Sequence, residues 1–230
     1  MATAVRKTNW FAIWVSVTVV VVIAIIAGLV IWINASATAG NTPGAVGTAT
    51  PKGSIVNSET GAITFGAGSN TVDTYIDFLC PYCNQFEQSE GPTIKQLIDD
   101  GKVTLNVHPV TILDDRSSGT RYSSRAASAM YAVAVADPDN AYAFLEALYA
   151  KQPAENTTGL TNNQIVDVAK GAGVNVTADL KDAITSNRYM QFAASHELPS
   201  GATGTPTLLV NGSMVGVTMN PQADILARLK

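Results

Sequence analysis

Cysteine and histidine are the scarce residues of this 230-residue chain, with two of each. A closed structural zinc site wants four such ligands at useful spacing. His108 and His196 lie at no such spacing from Cys80 and Cys83, so no metal site is expected. Charge is scarce over one long stretch: after Arg6 and Lys7, no charged side chain occurs before Lys52. Beyond residue 34, 12 Lys and Arg stand against 18 Asp and Glu, a net charge of −6. That balance argues against nucleic acid as a partner. No internal repeat is visible.

What fills the uncharged stretch is apolar. Residues 10–33 read WFAIWVSVTVVVVIAIIAGLVIWI. As a helix this run would be about 36 Å long at 1.5 Å per residue, enough to cross a hydrocarbon core of roughly 30 Å with some tilt. Trp10, Trp14 and Trp32 sit near its ends, where aromatic rings favour the interface. Arg6 and Lys7 place residues 1–9 in the cytoplasm and everything after the span outside it. A cleaved secretory signal is the alternative, with an A-x-A-like site at Ala35, Ser36 and Ala37. A signal h-region is about 7 to 15 residues, well short of this run. Either reading exports the remainder, in keeping with a chain whose only two thiols are neighbours.

Residues 34–53, NASATAGNTPGAVGTATPKG, are small and polar and read as a flexible tether of roughly 25 Å. The folded domain is expected over 54–230. TVDTYIDFL (71–79) reads as a strand running into the cysteines, NQFEQSEGPTIKQLIDDG as a helix that Pro92 kinks or breaks, and KVTLNVHPVTIL (102–113) as a second strand. Strand, helix, strand implies a parallel βαβ unit and an α/β fold. Alanine-rich segments from about 118 to 197 show helical spacing in four pieces, more than one crossover can use, and so form a helical insertion. TPTLLVNG and SMVGVT then make a hairpin across Asn211 and Gly212. NPQADILARLK makes a terminal helix capped by Asn220, with Pro221 at its first position.

A C-x-x-C pair can be a structural bridge, half a zinc site or a redox dithiol. Loop-entropy stabilisation grows with loop size, and this loop is close to the minimum, so a bridge gains little. The same shortness lets one sulfur attack a disulfide and the other resolve the mixed disulfide. With the strand ending at Leu79 and a helix starting at Pro81, Cys80 lies where free N–H groups and the helix dipole favour a thiolate. Cys80 is then the exposed nucleophile and Cys83 the resolving thiol. Asp77 either moves protons, if buried near Cys83, or is a solvated strand-end carboxylate.

DFLCPYC after an apolar strand, a helical insertion, and then GTPTLLVNG resemble the DsbA-like branch of the thioredoxin superfamily, in particular its membrane-tethered members in actinobacteria. The resemblance covers residues from about 55 to 230. It implies a thioredoxin fold with an inserted helical domain, and a cis Thr205–Pro206 bond beside the sulfurs that holds an extended substrate. It makes Tyr82 and Thr205 positions that tune the redox potential. It implies a thiol oxidase acting on unfolded or reduced exported proteins, with no cofactor beyond the Cys80–Cys83 disulfide. A membrane partner resembling DsbB or vitamin K epoxide reductase would reoxidise it. A disulfide reductase or isomerase, for instance in cytochrome c maturation, and a non-catalytic tethered chaperone-like module are the alternatives. The N-x-[ST] sequons at Asn34, Asn156, Asn175 and Asn211 are chance matches in a bacterial chain.

Overall fold

The computed structural model describes residues 47–230. The expected cytoplasmic terminus (1–9), membrane span (10–33) and first part of the tether lie outside the described residues. Among the described residues, no helix is long and apolar enough to cross a membrane. The last residues of the expected tether are not free: the Gly47 carbonyl accepts from Gln191 N, Ala49 N donates to Arg188 O, and Pro51 O accepts from Ser58 Oγ. The packed unit therefore starts upstream of residue 54.

Five strands form one sheet: β1 (Ile63–Phe65), β2 (Asn70–Ile76), β3 (Val103–Pro109), β4 (Thr207–Val210) and β5 (Ser213–Val215), in the order β1-β3-β2-β4-β5. β2 and β3 are parallel, joined by α1 (Pro81–Asp99), and the other pairs are antiparallel. The expected βαβ unit and hairpin are thus present. β2 alternates buried and half-buried residues along its length, the period-2 pattern that β-branched residues favour on a half-covered face. β1, three residues long, has too short a pattern to stand out in the sequence.

β2 stops at Ile76, not Leu79, because Asp77 folds the chain into a turn. Its carboxylate accepts from Leu79 N at 2.8 Å and its carbonyl accepts from Cys80 N at 3.0 Å. α1 begins at Pro81, which has no N–H to leave unpaired, with Cys80 extended at the N-cap. Pro92 does not break α1, which runs on to Asp99. Part of the clash that proline imposes falls on the Cβ of the preceding residue, and that residue is Gly91, which has none.

Between β3 and β4 lie five helices rather than four: α2 (Tyr122–Ala136), α3 (Ala141–Ala150), α4 (Asn162–Gly171), α5 (Ala178–Thr185) and α6 (Met190–Ala194). The stretch read as one final helix divides because Asn187 takes a left-handed conformation, φ 53°, which asparagine tolerates better than most residues. α2 is buried on nearly every side and forms the centre of the insertion. The terminal helix is shorter than expected: α7 spans Pro221–Asp224, followed by a 3-10 turn at Leu226–Arg228. Asn220 caps it, its side chain accepting from Gln222 N at 3.1 Å.

Candidate active site

The parallel β2–β3 pair carries both strands' C-terminal ends to the same edge of the sheet, and the turn Asp77–Cys80 crosses that edge. Asp77 anchors it. The side chain is fully buried and accepts from Leu79 N, from Leu113 N at 2.9 Å and from Ser123 Oγ at 2.6 Å. Burial pushes its carboxyl up to about 6, against the opposing pull of those three donors. The solvated reading of Asp77 is therefore wrong. The carboxylate also spends its oxygens on Ser123, Leu79 and Leu113; what Asp77 turns toward the Cys83 sulfur is its backbone.

Cys80 and Cys83 are both free thiols and both buried. Cys80 is only 5% exposed, so the nucleophile is not the open group expected from its place at a helix start. Its Sγ donates to the Thr205 carbonyl at 3.4 Å, and the Thr205–Pro206 peptide bond is cis. Cys83 is one turn further into α1 with no exposed surface. The two thiols differ in acidity. A hydrogen bond from the Cys83 thiol, helped by the Thr205 side chain and by the backbone N–H groups of Cys83 and Tyr82, outweighs burial and lowers Cys80 to about 6. Burial, and then the Cys80 sulfur beside it, push Cys83 well above the ordinary thiol range. Helix-start N–H groups contribute to this asymmetry, but the partner thiol contributes more.

Tyr82 projects from the first turn of α1 and is 64% exposed. Pro81 is exposed beside it. A depression of about 320 Å³, lined by Thr203, Thr205, Pro206, Met214 and Val217 among others, opens on the β4–β5 side and shares Thr205 with the sulfur site. The structure thus brings Cys80, Cys83 and Thr205 together. The two histidines are engaged by other groups: His108 stacks on Tyr75 at 4.2 Å between centroids, and His196 packs on Phe192.

Several neighbours had no local signal in the sequence. Tyr149 is buried and donates its hydroxyl to Asp77 O at 3.3 Å. Gln152 donates to Phe78 O and Cys80 O, and Ser123 reaches Asp77 from α2. All three belong to the helical insertion, and only the fold brings them to the turn.

A dithiol with one acidic sulfur under a carbonyl and one sealed, proton-holding sulfur is suited to thiol–disulfide exchange. The acidic sulfur attacks or leaves as a thiolate and the buried one closes the ring. Comparison with known proteins points the same way. A family model described as thioredoxin matches residues 62–225. The crystal structure of oxidised DsbA from Mycobacterium tuberculosis has 33% identity and a TM-score of 0.61, over 68% of this chain and 86% of that one. The reduced disulfide bond oxidoreductase DsbG of the same organism has 32% identity and a TM-score of 0.60, over 75% and 79%. The serine/threonine-protein kinase PknE of M. tuberculosis is 31% identical over 168 residues, 69% of this chain. The chain spans only 29% of that kinase's length.

Proposed function

This chain belongs to the thioredoxin family, and from that premise we propose that it is an extracytoplasmic, DsbA-like thiol:disulfide oxidoreductase that introduces disulfides into exported proteins. The observation that carries the reading is the unequal pair at the head of α1: Cys80 lowered to about 6 under the Thr205 carbonyl, and Cys83 sealed and pushed the other way.

In the forward reaction the enzyme starts as the Cys80–Cys83 disulfide. A substrate thiolate attacks Cys80 Sγ; the S–S bond breaks, and Cys83 leaves with the electron pair and takes up a proton. The substrate's second thiolate then attacks its own sulfur in the mixed disulfide and expels Cys80 as a thiolate. Two electrons have moved from substrate to enzyme, and no cofactor beyond the disulfide is involved. A low Cys80 pKa makes it a good leaving group in the second step and stabilises the reduced enzyme, which drives substrate oxidation. Thr205 and Pro206, with the depression beside them, receive the extended substrate segment. Tyr82 tunes the potential from the solvent side.

Residues 10–33 anchor the catalytic domain on the outer side of the membrane, where emerging reduced proteins meet it. A membrane partner resembling DsbB or vitamin K epoxide reductase returns the two electrons to the membrane. The net charge of −6 beyond residue 34 argues against nucleic acid as a partner.

Three measurements test this. The reduction potential is expected near the oxidising end of the family range, closer to about −120 mV than to about −270 mV; a value below that of thioredoxin would favour a reductase. Cys83→Ser should accumulate mixed disulfides with exported proteins on Cys80, and Cys80→Ser should abolish turnover without unfolding the domain. A folded Cys80→Ser protein that keeps turnover would refute the assignment.

A further inference from the structure

The inserted helices grip the active-site turn at two places. One is Ser123 on the Asp77 carboxylate. The other is the C-terminal end of α3, where Tyr149 donates to Asp77 O and Gln152 follows the last turn. The half-buried Gln152 side chain uses both ends of its amide. Nε2 donates to Phe78 O at 3.1 Å and to Cys80 O at 2.9 Å, and Oε1 accepts from Asn84 Nδ2 at 3.1 Å. Asn84 Nδ2 also donates to Tyr149 O at 3.1 Å, and Asn84 Oδ1 accepts from Gln88 Nε2. The set fixes which way the Gln152 amide points: reversed, its oxygen would face two carbonyl oxygens and its NH₂ would face a donor.

We propose that Gln152, steered by Asn84, is a positioning residue of the dithiol: it holds the Phe78 and Cys80 peptide groups so that the first-turn N–H groups of α1 stay aimed at the Cys80 sulfur and favour its thiolate form. This deepens the exchange function proposed above and rests on it. Two physical effects act together. Cys80 O also accepts from Cys83 N and Asn84 N, the bonds that open α1, so a grip on this oxygen fixes the N–H groups that face the sulfur. A carbonyl oxygen also carries partial negative charge close to its own residue's sulfur, and a donor on it draws that density away, which favours negative charge on the sulfur.

The test is the rate at which iodoacetamide alkylates Cys80 in the reduced full-length chain, held in mild detergent and followed across pH. Gln152→Met keeps the side-chain length and apolar stem while removing donor and acceptor. It is expected to cut the rate about threefold on the acid side of the Cys80 titration, equivalent to about half a pKa unit, and to leave the alkaline plateau unchanged. Asn84→Ala, which frees the Gln152 amide to turn, should move the curve the same way by a smaller factor. Circular dichroism confirms that each variant is folded. Should Gln152→Met fail to fold, Asn84→Ala alone decides. A folded variant whose curve overlays the parent's overturns the proposal, because a merely structural glutamine would change stability and not the titration. The assay uses no substrate, so it is independent of the direction of electron flow. Failure of the proposed function would show separately, as a parent chain that does not oxidise a reduced peptide.

Discussion

Tyr82 occupies the position of the C-x-x-C loop that meets solvent, 64% exposed, and its backbone N–H faces the Cys80 sulfur. A side chain there alters the sulfur's surroundings without disturbing the core. An imidazolium beside a thiolate favours the charged form of both groups. Tyr82→His is therefore expected to lower the Cys80 pKa below about 6 and to raise the reduction potential by about 30 mV or more, the equivalent of about 1.4 kcal/mol for a two-electron couple. Absorbance of the thiolate near 240 nm across pH, and equilibration against glutathione, read the two quantities. A potential that does not move would remove Tyr82 from the residues that tune the site. At this scale the sequence was informative where chemistry is local: the spacing of Cys80 and Cys83 and the proline at the first helical position could be read directly. Ser123, Tyr149 and Gln152 could not, because each lies more than forty residues from the groups it holds and none carries a pattern of its own.

The elements show where local rules were overruled. A proline inside an apolar periodic segment normally ends a helix, yet α1 continues through Pro92, where Gly91 lessens the steric conflict and Pro92 is exposed on the outer face. The missing N–H still leaves one turn of α1 short of a bond. Pro92→Ala should restore it and stabilise the domain by about 1–3 kcal/mol, within the usual proline penalty for helix interiors, as read from the urea unfolding midpoint. A destabilised variant would mean that Pro92 shapes α1 in a way the packed face requires. The end of β2 makes the complementary point. The segment from Tyr75 to Leu79 reads as continuous strand, and the three donors on Asp77 turn it into the corner that delivers Cys80 to α1. One of those donors, Leu113 N, comes from the segment after β3, so the boundary was set by a contact invisible along the chain. The division of α5 from α6 rests likewise on one left-handed residue, Asn187.

At the scale of the whole domain, three carboxyls are pushed the same way. Burial pushes Asp77 up to about 6 and Glu87 and Glu90 each up to about 7, with Glu146 adding to Glu87 and Asp224 adding to Glu90. Glu90 has no exposed surface, and neither of its oxygens has a hydrogen-bond partner. Burial also pushes Asp224 upward, but donors from Thr218 and Asn220 outweigh it and hold Asp224 ionised. Glu90 thus lies near Asp224 as an acid near a carboxylate, with no hydrogen bond between them. A carboxyl whose folded pKa is raised binds more protons folded than unfolded. Its contribution is therefore fully present below the unfolded value of about 4.3, and is lost as pH rises to about 7. The reduced domain should thus be more stable near pH 5 than near pH 8 as far as these groups are concerned. Cys80 acts in the opposite sense: its lowered thiol adds stability to the reduced form as pH rises above about 6. The two contributions separate by redox state, since the oxidised form has no Cys80 thiol to ionise. Thermal unfolding of the oxidised protein is therefore expected to show the carboxyl effect alone, a melting temperature that falls between about pH 5 and pH 8. Glu90→Gln supplies an uncharged donor to Asp224 and removes the group that must ionise. It should raise the melting temperature by a few degrees near pH 8 and change it little near pH 5, on the scale of roughly 2–4 °C per kcal/mol for a domain of this size. An equal shift at both pH values would mean that Glu90 acts through packing and not through its proton.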